Sequence, residues 1–362
     1  MNAVTSITGP ARGEDRTDFT VASGGQISLN GLKSTNGTGP VQMNVSVPVF
    51  SLPELMDGTR LNLNVATGSV VNLPKLTQVI GGNIAMSNGA TINAPLLTTF
   101  TNSLLTLGQG QTLNAPSFTN VDNNRFILTG GAQLTVMATS YRSDGVGANA
   151  TLISVDQANS KLSFPVLQTF NDGIFDSIGD ITRHLVTATN GGVIEMNAVT
   201  SITGPARGED RTDFTVAGGG QINMNSLVAI DGTGTTRFDL IGGTITLGSV
   251  SGSNTDVAVH AGGLLHVLGN FAMDANRSVT VDIIGTAISQ FGRIQVDGIA
   301  AIIGTLNIAR PTGFIPSAGD AFPILTYTNG HTGTFGTVTG TPAGPRTFNL
   351  AYNATALTLN VT

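Results

Sequence analysis

Three aspartates, Asp172, Asp176 and Asp180, step by four through the stretch NDGIFDSIGDITRH, whose last two residues are Arg183 and His184. Carboxylates clustered beside a cation are the equipment of polysaccharide hydrolysis or elimination. One carboxyl gives or takes a proton, another acts as base or nucleophile, and a guanidinium steadies developing charge. In a Gly-rich loop this spacing does not fix a carboxylate separation, so the same residues also read as charges kept wet on a loop. A second cluster, TGPARGEDRTD at 203–213, supplies Arg207, Glu209, Asp210, Arg211 and Asp213. It offers oxygen ligands for Ca²⁺ but lacks the spaced Asp/Asn/Gly frame of a Ca²⁺ loop. Arg142 and Asp144 stand in a third loop, YRSDGVGANA. Cys is absent, which excludes disulfides, thiolate metal sites and a Cys nucleophile. His260 and His266 have no metal-ligand companion at a useful spacing, so no metal site is assigned.

These loops stand out because the rest of the chain is so uncharged. Charged residues are 10% of 362, and Gly numbers 47; typical domains have roughly 25% charged and 7% Gly. The loops 8–18, 141–150, 171–184 and 203–213 total 46 residues and hold 16 of the 38 charges. The net charge of -6 is spread thinly and no basic stripe exists, which excludes a phosphate-backbone partner. No apolar run approaches the roughly 20 residues of a membrane helix.

The elements that position the loops follow from a repeat. Pro53, Pro74, Pro95 and Pro116 lie 21 apart, as do Gly68, Gly89, Gly110 and Gly131. Apolar residues keep the same step: Leu63, Ile84, Leu105 and Phe126; Val71, Ile92, Leu113 and Leu134; Val79, Phe100 and Val121. Within each unit apolar positions are two or three apart, the period of strands, and the fixed Gly suits a corner with positive φ. Two or three short strands cannot bury their own face, but stacked copies bury a continuous column. The spacing therefore predicts an all-β chain, a parallel β-helix (β-solenoid) of about 12 rungs over 1–270, regular at about 50–137, with a C-terminal β-rich cap module over 271–362. Asn72, Asn93 and Asn114 share one rung position and are expected to bond along the stack. The long loops fall at one corner, as one polar ridge.

Residues 1–32 match 196–227 at 28 of 32 positions, and the first 22 are identical. The near-repeat has a period of 195. Met196 is an inward-type position in mid-rung, so Met1 is expected to be the edge of a longer chain, with more solenoid and any export signal upstream. The N-terminus has no basic start followed by an apolar run.

In the tail, FGRIQVDGIAAIIGTLNI, GFIPSAGDAFPILTY and GTFGTV resemble the C-terminal passenger module of secreted bacterial surface proteins, the autotransporter-like and haemagglutinin-like adhesins. The resemblance covers Ala275 to Thr362. It implies an extracellular or cell-surface β-solenoid or its cap. The rungs, with NLPKLTQVIGGNIAMSNG, are also similar to receptor-L-type β-helical repeats. The function expected is a non-enzymatic structural or adhesive solenoid that presents Arg142, Asp144, Asp172, Asp176, Asp180, Arg183, His184, Arg207, Glu209, Asp210, Arg211 and Asp213 to a glycan or surface protein, with end-to-end or edge self-association open to it. The alternative is a carbohydrate-active β-helix enzyme, a polysaccharide lyase or glycoside hydrolase, using Asp172, Asp176, Asp180 and Arg183.

Overall fold

A computed structural model describes residues 3–22, 24–174, 181–251 and 254–362. Strands make up 49% of the chain and helix 1%, and the strands stack in parallel as a β-solenoid of about 12 turns. The chain divides into two compact units, one of residues 1–146 with 152–167, the other of 147–151 with 168–362.

In the first unit each regular turn has three short strands. One turn runs Leu61–Val65, Val70–Asn72 and Gln78–Ile80. Each strand pairs in parallel with its counterpart 21 residues on, so the sequence columns become physical columns. Leu63 opposes Ile84, which opposes Leu105, which opposes Phe126. Val71 opposes Ile92, and Ile92 opposes Leu113. Val79 opposes Phe100. All these inward side chains except Leu113 are buried. Each fully buried one contributes about 1.5–3 kcal/mol relative to exposure. Gly68, Gly89 and Gly110 hold φ of +69°, +70° and +65° at the same corner, a region closed to most side chains.

Polar columns run outside the apolar ones. The Asn93 amide donates to Asn72 Oδ1 at 2.8 Å and the Asn114 amide to Asn93 Oδ1 at 2.6 Å, the ladder expected at that position. One sequence column is interrupted. Leu134 does not continue the Val71–Ile92–Leu113 pairing; it opposes Leu162 instead. Leu113 is left half-buried, and a cleft of about 390 Å³ opens between it and Leu134. Equal spacing in sequence gave the right turn but not the pairing, because a strand pairs only if the corner before it brings it into register.

In the second unit the turns are longer. Arg183–Thr189, Arg211–Ala217, Thr235–Ile241 and Thr255–Val259 pair successively in parallel. Phe214 lies between Phe170 and Phe238 with centroids 5.5 and 5.6 Å away. Parallel pairing runs on through Ser278–Asp282, Thr305–Ala309 and Thr337–Thr339. The order changes at Ala321–Tyr327, which takes Ala356–Val361 as an antiparallel neighbour. Ala356–Val361 in turn pairs antiparallel with Arg346–Tyr352. A hairpin laid across the last parallel strand in this way covers an edge that would otherwise invite further pairing. Among the described residues, no helix is long and apolar enough to cross a membrane.

Candidate functional site

In the second unit the charged loops 171–184 and 203–213 share one corner. Each leaves a strand of the third face and enters one of the first: 203–213 joins Ser201–Thr203 to Arg211–Ala217, and 171–184 joins Thr169–Asn171 to Arg183–Thr189. Parallel register on both sides of the corner, Phe170 to Ile202 and Val186 to Phe214, holds the second loop against the first.

The ridge is not simply wet. Asp172, His184, Thr212 and Asp210 have no exposed surface. Asp172 Oδ1 meets His184 Nδ1 at 2.5 Å, and Asp172 Oδ2 accepts from the Thr212 hydroxyl. His184 Nε2 donates to the Gly147 carbonyl at 3.1 Å. A carbonyl only accepts, so Nε2 carries a proton, and a second proton lies between Nδ1 and the carboxyl. Wherever that second proton sits, the pair has no net charge, which is what makes its burial tolerable. The pair ties three loops together, through Gly147, through Asp172 with His184, and through Thr212. Beside it Asp210 Oδ1 accepts the Thr182 backbone N–H at 3.0 Å, and Arg183 N–H donates to Asn149 Oδ1 at 3.1 Å.

The remaining charges stay nearer the surface. Arg142 pairs with Asp144, and Arg207 with Glu209. Arg211 Nε lies 2.8 Å from Asp213 Oδ1, yet neither atom has hydrogen-bond geometry, so this contact is attraction without direction. Burial raises the Asp213 carboxyl above its usual value despite the lowering fields of Arg211, Arg237 and Arg183. Arg183 itself is exposed.

An Asp–His pair of this kind resembles the base-and-orienter arrangement of general-base catalysis. Here the outer nitrogen, which would face a substrate, is bonded to a backbone carbonyl. Asp172 has both oxygens engaged and no accessible surface, while Arg183 is exposed, so the two are not brought to one accessible site. Asp176 and Asp180 lie outside the described residues. Glu209, Asp210 and Asp213 each have separate surroundings, and among the described residues no group of three His or acidic side chains could hold a metal ion.

Sequence reasoning missed Thr212 and the Thr182 N–H as partners of the acidic residues. It also missed a second histidine network. His260 Nδ1 faces Asp282 Oδ2 at 2.7 Å and Nε2 faces Asp239 Oδ1 at 3.0 Å. Hydrogen bonds to these two carboxylates raise His260 to about 9, against the opposing effect of burial. Burial pushes Asp239 up, but its bond to His260 and the charge of Arg237 outweigh this and lower it. The signal was available: the three residues are 21 and 22 apart, one turn each, so a solenoid brings them together although local spacing does not.

Comparison of the chain with protein-family models, with curated proteins and with solved structures gave no match.

Proposed function

We propose that this chain is a non-enzymatic extracellular β-solenoid, a stalk or adhesive surface of a secreted or surface protein, whose corner loops serve first to lock successive turns and then to present charge. The observation that carries this reading is the use made of Asp172 and His184. Asp172 is one of the catalytic candidates, and it and His184 are engaged inside the corner by Thr212 and a backbone carbonyl. A catalytic carboxylate must reach its substrate. What stays at the surface is, in the first unit, the Arg142–Asp144 pair and, in the second, Arg183 and the Arg207–Glu209 pair, mixed charges suited to weak polar contact with a glycan or a partner protein. The resemblance of the tail to adhesin passenger modules supports the extracellular setting.

The test is incubation with a panel of polysaccharides while new reducing ends and unsaturated products are followed. The expected result is no cleavage, with any binding reduced by charge reversal at Arg142 and Arg183. Cleavage that disappears in Asp176→Asn would overturn the proposal in favour of a carbohydrate-active enzyme.

A further inference from the structure

We propose that the outer face of the first unit's turns between residues 41 and 107 binds a neutral saccharide chain, seated in a groove at Ala85. The proposal rests on the adhesive reading above and adds to the charged loops a second, uncharged contact. Val41–Ser46, Leu61–Val65, Asn83–Met86 and Leu104–Leu107 pair successively in parallel. Met43, Leu63, Ile84 and Leu105 are buried, so the residues that alternate with them face outward. None of those outward residues is charged. The same sheet in the second unit carries Asp213, Arg237, Asp239 and Asp256 at outward positions.

Two columns of amides run along this face, and the bonds they make fix their orientation. In one column Asn62 Oδ1 accepts the Asn83 backbone N–H at 3.0 Å, and Asn83 Oδ1 accepts that of Leu104 at 3.0 Å. A backbone N–H only donates, so it is the oxygen of each amide that is engaged. Among the described residues neither Nδ2 group has a partner. In the next column Asn44 is saturated. Its Oδ1 accepts the Gln42 amide at 3.1 Å and the Asn64 amide at 2.8 Å, and its own amide donates to the Thr20 hydroxyl at 3.2 Å. Asn64 Oδ1 would carry the ladder on, but its opposite residue on the next turn is Ala85. The ladder stops there, and among the described residues the Asn64 oxygen has no donor. A groove of about 360 Å³ opens at this point, lined by Asn44, Asn64, Ala66, Ala85, Ser46 and Ser87 among others.

The chemistry of the groove selects its occupant. It offers one fixed acceptor, Asn64 Oδ1, and beside it two fixed donors, the Asn62 and Asn83 Nδ2 groups. A sugar hydroxyl both donates and accepts, so one hydroxyl over Ala85 can donate to Asn64 while its neighbour accepts from Asn83. An ionic ligand finds no counter-charge on this face. A wholly apolar one would cover amides that it leaves unpaired. The amides are held by their own ladders before any ligand arrives, so little side-chain freedom is lost on binding.

The experiment titrates neutral and uronic-acid oligosaccharides into the full chain while Asn side-chain amide resonances are followed. A neutral saccharide is expected to shift Asn62, Asn64 and Asn83 and to leave Asn72 and Asn93, which are laddered on another face. Asn83→Asp keeps the oxygen that holds the Leu104 N–H and removes the donor, and should weaken binding about 3- to 10-fold. Ala85→Asn extends the ladder through the groove, and should weaken binding by about 10-fold or more with the melting temperature retained. Resonances unmoved by every neutral saccharide would overturn the proposal, as would equal affinity in both variants. Binding of uronic-acid saccharides alone, lost on charge reversal at Arg142 and Arg183, would also overturn it and leave the adhesive reading standing. Shifts at the three amides accompanied by cleavage would keep the site and overturn the non-enzymatic reading.

Discussion

The same 22 residues sit at 1–22 and at 196–217, and the two copies separate what a sequence dictates from what its neighbours add. Strand positions, corner bonds and the register towards the next turn are alike in both. Burial is not. The Arg16–Asp18 pair has side chains 58% and 42% exposed, and the equivalent Arg211–Asp213 pair 21% and 9%. Local chemistry, meaning β-branched alternation and a Gly-Pro corner, is therefore enough to set the path of the chain. The energy that path is worth depends on the turn laid against it.

The sharpest way to break this contrast is Phe214→Ala against Phe19→Ala. Phe214 is buried between two aromatic rings, so its truncation should cost about 3–5 kcal/mol in denaturant unfolding. Phe19 is half-buried at an edge and should cost about 1 kcal/mol. Equal losses would mean that the edge is covered in solution.

Next in size is Thr212→Val against Thr17→Val. Thr212 donates to the buried Asp172 carboxyl, and loss of a bond to such a group costs about 1.5–3 kcal/mol. Thr17 is half-buried at the open edge and should change stability by no more than about 0.5 kcal/mol. A Thr212→Val variant as stable as the parent would dismiss the corner lock.

How much of this was legible follows from the range of each signal. The columns Leu63–Ile84–Leu105–Phe126 and Asn72–Asn93–Asn114 were plain, because inward and outward positions repeat every 21 residues. The break at Leu134 was not, because pairing depends on the path of the preceding corner, where Gly130 and Gly131 both hold positive φ. That the loops 171–184 and 203–213 lie on adjacent turns was legible from the repeat, but charge alone suggested solvent. The burial of Asp172 and His184 came from loops on adjacent turns closing over each other, a contact between residues 12 to 40 apart that no motif encodes.

The turn following each copy sharpens the comparison through pH. Beside Thr20 the next turns carry amides, Asn44 donating to Thr20 Oγ1 at 3.2 Å and Asn64 to Asn44 at 2.8 Å. Beside Thr215 stands Asp239, bonded to His260, which also bonds Asp282. The amides do not titrate in the working range and the histidine does. His260 is raised from 6.5 to about 9, so between these values the folded state holds more protons than the unfolded. Its stabilisation is full below about pH 6.5 and is lost as pH rises through about 9. The whole shift corresponds to about 3 kcal/mol at most, and partial exposure to solvent reduces this to about 1–2 kcal/mol. Unfolding compared at pH 6 and pH 10 should show that loss in the parent and not in His260→Gln. Equal slopes would remove the histidine from the account.

The smallest effect tests the copies at a single carboxyl. Asp213 has three arginines around it, and yet burial dominates and raises its titration above the usual 3.8. A folded state that holds this proton more tightly than the unfolded loses stability as pH rises through the folded value. At neutral pH the ionised Asp213 therefore works against folding, and Asp213→Asn should leave stability equal or higher by up to about 1 kcal/mol. Asp18, exposed in the first copy, carries no such burial, so Asp18→Asn should stay within about 0.5 kcal/mol of the parent. Carboxyl carbon resonances followed through acid titration give the direct reading. A midpoint for Asp213 below 3.8 would mean that the guanidinium fields outweigh desolvation, and that the covering turn stabilises this corner by pairing its charges rather than by tolerating them.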